Sequence, residues 1–171
     1  GIVLIDCAQR TMDDKRFNEQ SLLMRFLRPV IKTLVRQRLL STSLFRNAAN
    51  QKFIEKILKL AYPSGNNIDS ELIEILFQPT QRKGAPEAFR GFINLFDDHL
   101  APDLLNQSKK PVYLIWGEKD PWESLKEARN WFETFECIKS LDIIENAGHC
   151  PHDEMPEKVN PILLKIIQDA M

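Results

Sequence analysis

The sequence predicts an α/β fold in which parallel strands carry a large helical insertion. Three observations lead there. Residues 111–116, Pro-Val-Tyr-Leu-Ile-Trp, are apolar and uncharged, which is how a strand buried on both faces of a parallel sheet reads. A second strand-like run, Leu141-Asp142-Ile143-Ile144, is apolar but for Asp142, and each is followed by a loop with one ionisable residue of note, Asp120 and then His149, twenty-nine positions apart. A third strand-like run, Ile2-Val3-Leu4-Ile5, opens the chain, and the stretch between it and Pro111 has helical patterning.

Composition bounds the answer. At 171 residues the chain suits one domain with a core of ordinary size, and 43% apolar with 27% charged residues is the mixture of a soluble globular protein. A net charge of −1 gives no global attraction to nucleic acid. The charge is uneven: residues 1–60 hold 12 Lys/Arg against 5 Asp/Glu, and residues 61–171 hold 11 against 19. Cys7, Cys137 and Cys150 are odd in number and lack metal-type spacing, which favours a reducing compartment over a disulfide framework. No apolar run approaches the ~20 residues of a membrane-spanning helix, and no signal peptide is evident. The chain opens inside an apolar run without Met, so it is expected to be the C-terminal portion of a longer protein.

Taken in order, the first strand is expected over residues 1–6, followed by a polar loop to residue 18. Residues 19–40 then read as helix. Leu23, Leu27, Val30 and Leu34 share one face, and Arg25, Arg28, Lys32 and Arg36 the opposite one. Pro29 should kink or divide that helix. The basic stripe fits a solvated face, and it also fits a surface that docks on anionic lipid headgroups. Further helices are expected over residues 50–61, over 69–77 with Asp69 as N-cap, and over 86–96. Phe89, Phe92, Ile93 and Phe96 share a face of the last of these, for packing or to line an apolar pocket. Residues 97–110 read as a loop into the central strand. Gly117 ends that strand where a sharp turn needs a backbone free of Cβ. Pro121 suits the first position of a helix over residues 123–135. Residues 140–144 form the next strand. Residues 153–171 close the chain as a helix with Val159, Ile162, Leu163, Ile166 and Ile167 on its apolar side.

The chemistry rests on Asp120 and His149. Alone, each reads as an ordinary loop residue, a turn or cap aspartate and a satisfied histidine. Together, each after its own strand and in the order acid then base, they make two-thirds of a catalytic triad. A triad needs a carboxylate to hold the imidazole tautomer and to stabilise the imidazolium that forms. Both side chains must therefore reach the same edge of the sheet.

The segments Trp116-Gly117-Glu118-Lys119-Asp120-Pro121-Trp122 and Asn146-Ala147-Gly148-His149-Cys150-Pro151 resemble the acid and base motifs of the α/β-hydrolase superfamily. Glu154-Met155-Pro156-Glu157-Lys158-Val159 looks like its usual entry into the last helix. The pairing of motifs is similar to cyanobacterial and plastid hydrolases of the pheophytinase and chlorophyll dephytylase kind, which cleave the phytyl ester of chlorophyll-type pigments. The resemblance implies the C-terminal part of an α/β-hydrolase fold, with residues 1–6, 111–116 and 140–144 as strands six, seven and eight. It implies three segments: 1–10 as first strand and loop of the core, 11–100 as a helical cap, and 101–171 as the core with acid and base. Asp120 takes the acid's role and His149 the base's. Glu154 is a helix-entry residue, and His152 either backs the catalytic pair or lies at the rim.

One departure is large. The superfamily's nucleophile sits in a G-x-S-x-G elbow, and this sequence has none: Ser41, Ser43 and Ser64 lack a preceding strand, and Cys7 lacks the elbow glycines. The resemblance thus implies a nucleophile and oxyanion hole upstream of Gly1. Serine there gives an ester hydrolase for an apolar substrate. Aspartate gives a haloalkane dehalogenase or epoxide hydrolase, and neither gives a non-catalytic binder of an apolar ligand. No metal or other cofactor and no nucleic acid is implied. A cytoplasmic or stromal protein is expected, with peripheral thylakoid contact through the basic helix.

Overall fold

The computed structural model describes residues 1–8, 37–95 and 101–169, without the side chains of 92–95. Strands β1 (Ile2–Ile5), β2 (Val112–Gly117) and β3 (Ile138–Ile144) form one parallel sheet in the order β1-β2-β3. Ile5 pairs with Ile115, and Gly117 pairs with Ile144, with an irregularity at Val112 and Tyr113. β2 is central because it can be: Val112, Leu114, Ile115 and Trp116 are each fully buried, so neither face needs water.

Side chains alternate along β2, so it feeds two cores. Val112, Leu114 and Trp116 pack on one face with Leu105, Ala128, Trp131 and Ile138. Ile115 packs on the other with Ile144, Ala147, Met155, Val159 and Ile166. The helices that deliver these residues are Ala101–Gln107 and Leu125–Thr134 on the first face and Pro156–Asp169 on the second. The result is a helix–sheet–helix sandwich. Trp116 and Trp131 meet edge to face at 6.3 Å, and the Trp116 indole N–H donates to the Glu123 carbonyl at 3.1 Å, satisfying its one polar group inside the core.

The chain divides into two compact units. The sheet unit is Gly1–Gln9, Ile57–Ile68 and Leu100–Met171; the second is Arg10–Lys56 with Asp69–His99. In the order met along the chain, helices α1 (Arg38–Ala48), α2 (Gln51–Ala61), α3 (Ser70–Phe77) and α4 (Ala85–Leu95) carry the second unit, and the last turns of α2, from Ile57, count with the first. Asn50 Oδ1 accepts from the Phe53 amide at 2.9 Å and Asp69 Oδ1 from the Leu72 amide at 2.7 Å, each satisfying a donor left over at a helix start. Phe45 and Phe89 stack at 5.3 Å between α1 and α4. The remaining helices are α5 (Ala101–Gln107), α6 (Leu125–Thr134), the single turn α7 (Pro151–Glu154) and α8 (Pro156–Asp169). No described helix is long and apolar enough to cross a membrane.

Several expectations need correction. Residues 97–110 are not all loop, because α5 occupies Ala101–Gln107; Pro102 and Asp103 suit its first turn and Leu105 is buried, a pattern too short for periodicity to reveal. The helix expected from residue 123 begins at Leu125, and Pro121 is not at its first position. The Asp120 carboxylate binds the amides of Trp122 and Glu123 and keeps residues 121–123 in a bend. The closing helix is broken at Met155 (φ −139°), as the residue before a proline avoids helical geometry. Ile167, expected on its apolar side, is 55% exposed. Helix α1 runs past Leu40 to Ala48, with Ser41 Oγ bonded back to the Gln37 carbonyl at 2.9 Å. Most of the helix expected over 19–40, with its basic residues Arg25, Arg28, Lys32 and Arg36, lies outside the described residues, as do the side chains of Phe92, Ile93 and Phe96.

Candidate active site

The loops that follow β2 and β3 lie side by side at the carboxyl edge of the sheet, where α/β folds place their ligands. Their backbones are stitched together: the Glu118 amide donates to Ile144 O at 3.1 Å and the Lys119 amide to Ala147 O at 2.8 Å. Side chains continue the seam. Glu118 Oε2 accepts from the Asn146 amide at 3.0 Å, and Lys119 Nζ donates to Asn146 Oδ1 at 2.6 Å. The approach is close enough to require glycine on both sides. A Cβ on Gly117 would lie 1.9 Å from the Gly148 carbonyl oxygen, and one on Gly148 would lie 2.0 Å from that of Ala61.

This seam delivers the two expected residues to each other. His149 Nδ1 and Asp120 Oδ2 are 2.9 Å apart, with the carboxylate fully buried and the imidazole 31% exposed. Asp120 Oδ1 is already occupied, accepting from the Trp122 amide at 2.7 Å and the Glu123 amide at 3.0 Å. An ionised carboxylate only accepts, so the proton of the neutral imidazole sits on Nδ1 and Nε2 keeps its lone pair. Trp122 stands edge-on to the imidazole, centroids 4.8 Å apart at 81°, and limits its rotation.

His149 is held by parts of the chain that the sequence did not single out. The His149 amide donates to Ala61 O at 2.8 Å, at the end of α2. Glu154, expected only as a helix-entry residue, is 1% exposed and acts as a clamp. Its Oε2 accepts from the Gly148 amide at 2.6 Å, and its Oε1 accepts from the Ser64 amide at 2.8 Å and from the Ser64 hydroxyl. Beside it, Tyr62 donates its hydroxyl to Asp153 Oδ2, and Asn67 donates to the Asp153 carbonyl. Burial and the Asp153 carboxylate push the Tyr62 phenol up, so it stays a donor at any ordinary pH. Burial likewise pushes the Cys150 thiol up, opposed by its hydrogen bond with Tyr62. His152 is exposed.

A second missed residue is Asp6, at the carboxyl end of β1. It is 4% exposed, its Oδ1 accepts from the Gly117 amide at 2.9 Å, and its backbone is left-handed at φ 41°. The signal was present: an acid directly at the end of an apolar strand, as Asp120 follows the next. Among the described residues no cluster of His, Cys, Asp or Glu is arranged to hold a metal ion.

Solved structures share this architecture. An α/β-hydrolase enzyme from a Medee basin deep-sea metagenome library superposes with a TM-score of 0.64 over 97% of this chain and 55% of its own, at 13% identity. A thermophilic esterase from Thermogutta terrifontis gives 0.61 over 98% and 55%, at 17% identity. The fold is that of an α/β-hydrolase. This chain holds the C-terminal part of it, a parallel three-stranded sheet with flanking helices. In sequence the chain is similar to the chloroplastic pheophytinase of Arabidopsis thaliana, 27% identical over 124 residues, 70% of this chain and 25% of the relative. It thus spans about half the length of the solved relatives and a quarter of the curated one. No protein-family model matches it.

Proposed function

We propose that this chain supplies the acid and base of a serine-type ester hydrolase whose nucleophile and oxyanion donors precede Gly1, with the helices of the second unit as its cap. The observation that carries the reading is the Nδ1–Oδ2 contact of 2.9 Å between His149 and a fully buried Asp120. In the reaction, His149 Nε2 takes the proton of the serine hydroxyl as its oxygen attacks the ester carbonyl. The imidazolium so formed keeps its Nδ1–H on Asp120, then gives the Nε2 proton to the leaving alcohol. A water molecule, deprotonated by the same nitrogen, releases the acid from the acyl-enzyme.

The substrate we assign is an apolar ester, the phytyl ester of a chlorophyll-type pigment. The similarity to a chloroplastic pheophytinase supports it and favours a plastid or cyanobacterial setting. The test is the protein extended through its preceding coding region, assayed on detergent-dispersed pheophytin and chlorophyll beside p-nitrophenyl acyl esters. Phytol release is expected, along with no turnover above background by the 171-residue chain alone. Cleavage of acyl esters without phytol release would reject the pigment and keep the esterase. Halide release from haloalkanes or diol formation from epoxides would replace serine with an aspartate nucleophile.

A further inference from the structure

Two carboxyl groups share the buried floor of the site. Asp120 is met by three donors: the amides of Trp122 and Glu123, and His149 Nδ1. Asp6 is met by one, the Gly117 amide on Oδ1, and among the described residues no donor reaches its buried Oδ2. Among the described residues, the Asp120 carboxyl is a side-chain hydrogen-bonding neighbour of Asp6. A carboxylate oxygen buried without a donor is costly, and two adjacent buried carboxylates cannot both be charged cheaply. The charge settles where the donors are, on Asp120. The proton belongs on the oxygen that lacks a donor, Asp6 Oδ2, where it becomes a donor in turn.

We propose that Asp6 is a positioning residue for the acid–base pair, a neutral carboxylic acid whose Oδ2–H donates to the Asp120 carboxylate and holds it facing His149. The inference rests on the acid–base reading of Asp120 and His149. The groups facing Asp6 agree with it. Burial pushes its carboxyl up to about 9, with the Asp120 and Glu154 charges adding and the Gly117 amide opposing. The Cys150 thiol, itself pushed up chiefly by burial, brings no cation. The left-handed backbone of Asp6 is a conformation few non-glycine residues hold, and here it comes with a buried carboxyl bonded to the end of β2.

The experiment follows the side-chain carboxyl ¹³C resonances of labelled aspartate in the 171-residue chain, with Asp6 assigned by its loss in D6N. Asp6 is expected at its protonated position at pH 7, moving only as pH nears about 9. A carboxylate position at pH 7 overturns the inference. The imidazole reports the positioning: the hydrogen-bonded Nδ1 proton of His149 should be visible in the wild type and in D6N, whose amide still donates, and lost in D6A. Its survival in D6A overturns the positioning role alone. Its absence from the wild type overturns the acid–base pairing and this inference with it. If D6A fails to fold, the carboxyl titration of the wild type still decides.

Discussion

The loop after β2 presents Asp120 and the loop after β3 presents His149, but they are shaped from different distances along the chain. The acid loop folds on itself: the Asp120 amide donates to Gly117 O, and its carboxylate binds the amides two and three residues ahead. The histidine loop is held from outside, by Ala61 O, by Ser64 through Glu154, and by Tyr62 and Asn67 on Asp153, some 90 positions away. A local arrangement survives any rearrangement that keeps its dozen residues together. The non-local one requires residues 61–67 to be docked before the histidine is in place. Pairing acid with base is therefore a test of tertiary docking rather than of turn chemistry.

Breaking the dock should cost most. In Gly148→Ala the new Cβ falls 2.0 Å from the Ala61 carbonyl oxygen, and both groups are backbone, so the loop must leave its support. A loss of roughly 3 kcal/mol or more is expected, about 10 °C in thermal unfolding followed by circular dichroism. A variant melting with the wild type would mean that the dock is not what holds the loop.

Removing the clamp is the next largest effect. Glu154→Leu strands the buried Gly148 amide and takes the acceptor from both donors of the more exposed Ser64, a cost of about 2–3 kcal/mol, or roughly 5–10 °C. Ser64→Ala, which removes one donor to Glu154 and leaves the exposed Asn66 amide to water, should cost about 1 kcal/mol. Equal losses in the two variants would contradict the clamp.

The contrast between the loops also explains what the sequence made legible. β1 and β2 could be read because their apolar runs lack charge, and β3 by Leu141, Ile143 and Ile144 despite Lys139 and Asp142; Asp120 and His149 stood out because each follows a strand. The acid turn was legible in kind, since Asp-Pro announces a turn, although the Asx-type bonds delay the helix to Leu125. Glu154 was read only as a helix-entry residue because two of its three donors belong to Ser64, 90 residues back, and no local pattern marks a carboxylate that will be buried. Asp6 was passed over because its role depends on a neighbouring strand it meets only after folding. Helix α5 hid in a seven-residue segment with a single buried leucine, too little for periodicity.

The buried acid sharpens the comparison through pH. The Asp6 carboxyl is raised from 3.8 to about 9 in the fold, so between those values the folded chain holds a proton that the unfolded chain has released. The contribution of Asp6 to stability is then fully present below pH 3.8 and is lost as pH rises through the window. Asp6→Asn removes that slope. The melting temperature of D6N should gain on the wild type by at most about 5 °C per pH unit between pH 5 and 8. A difference that stays constant with pH would mean that Asp6 is already ionised.

The smallest expected effect belongs to a purely local contact in the second unit. Asp69→Ala deletes the cap on the Leu72 amide at the start of α3, worth about 1 kcal/mol, or roughly 3 °C. A loss as large as that of the Glu154 variant would erase the distinction between local and docked contacts.

The most direct measurement is ester hydrolysis by the longer protein with His149→Ala and Asp120→Asn made separately and together. The account predicts that each single change lowers kcat by about 10³–10⁴, with KM little changed, and that the double variant is barely worse than either, because acid and base act as one unit. Single variants that keep wild-type kcat, or losses that multiply in the double variant, would contradict it.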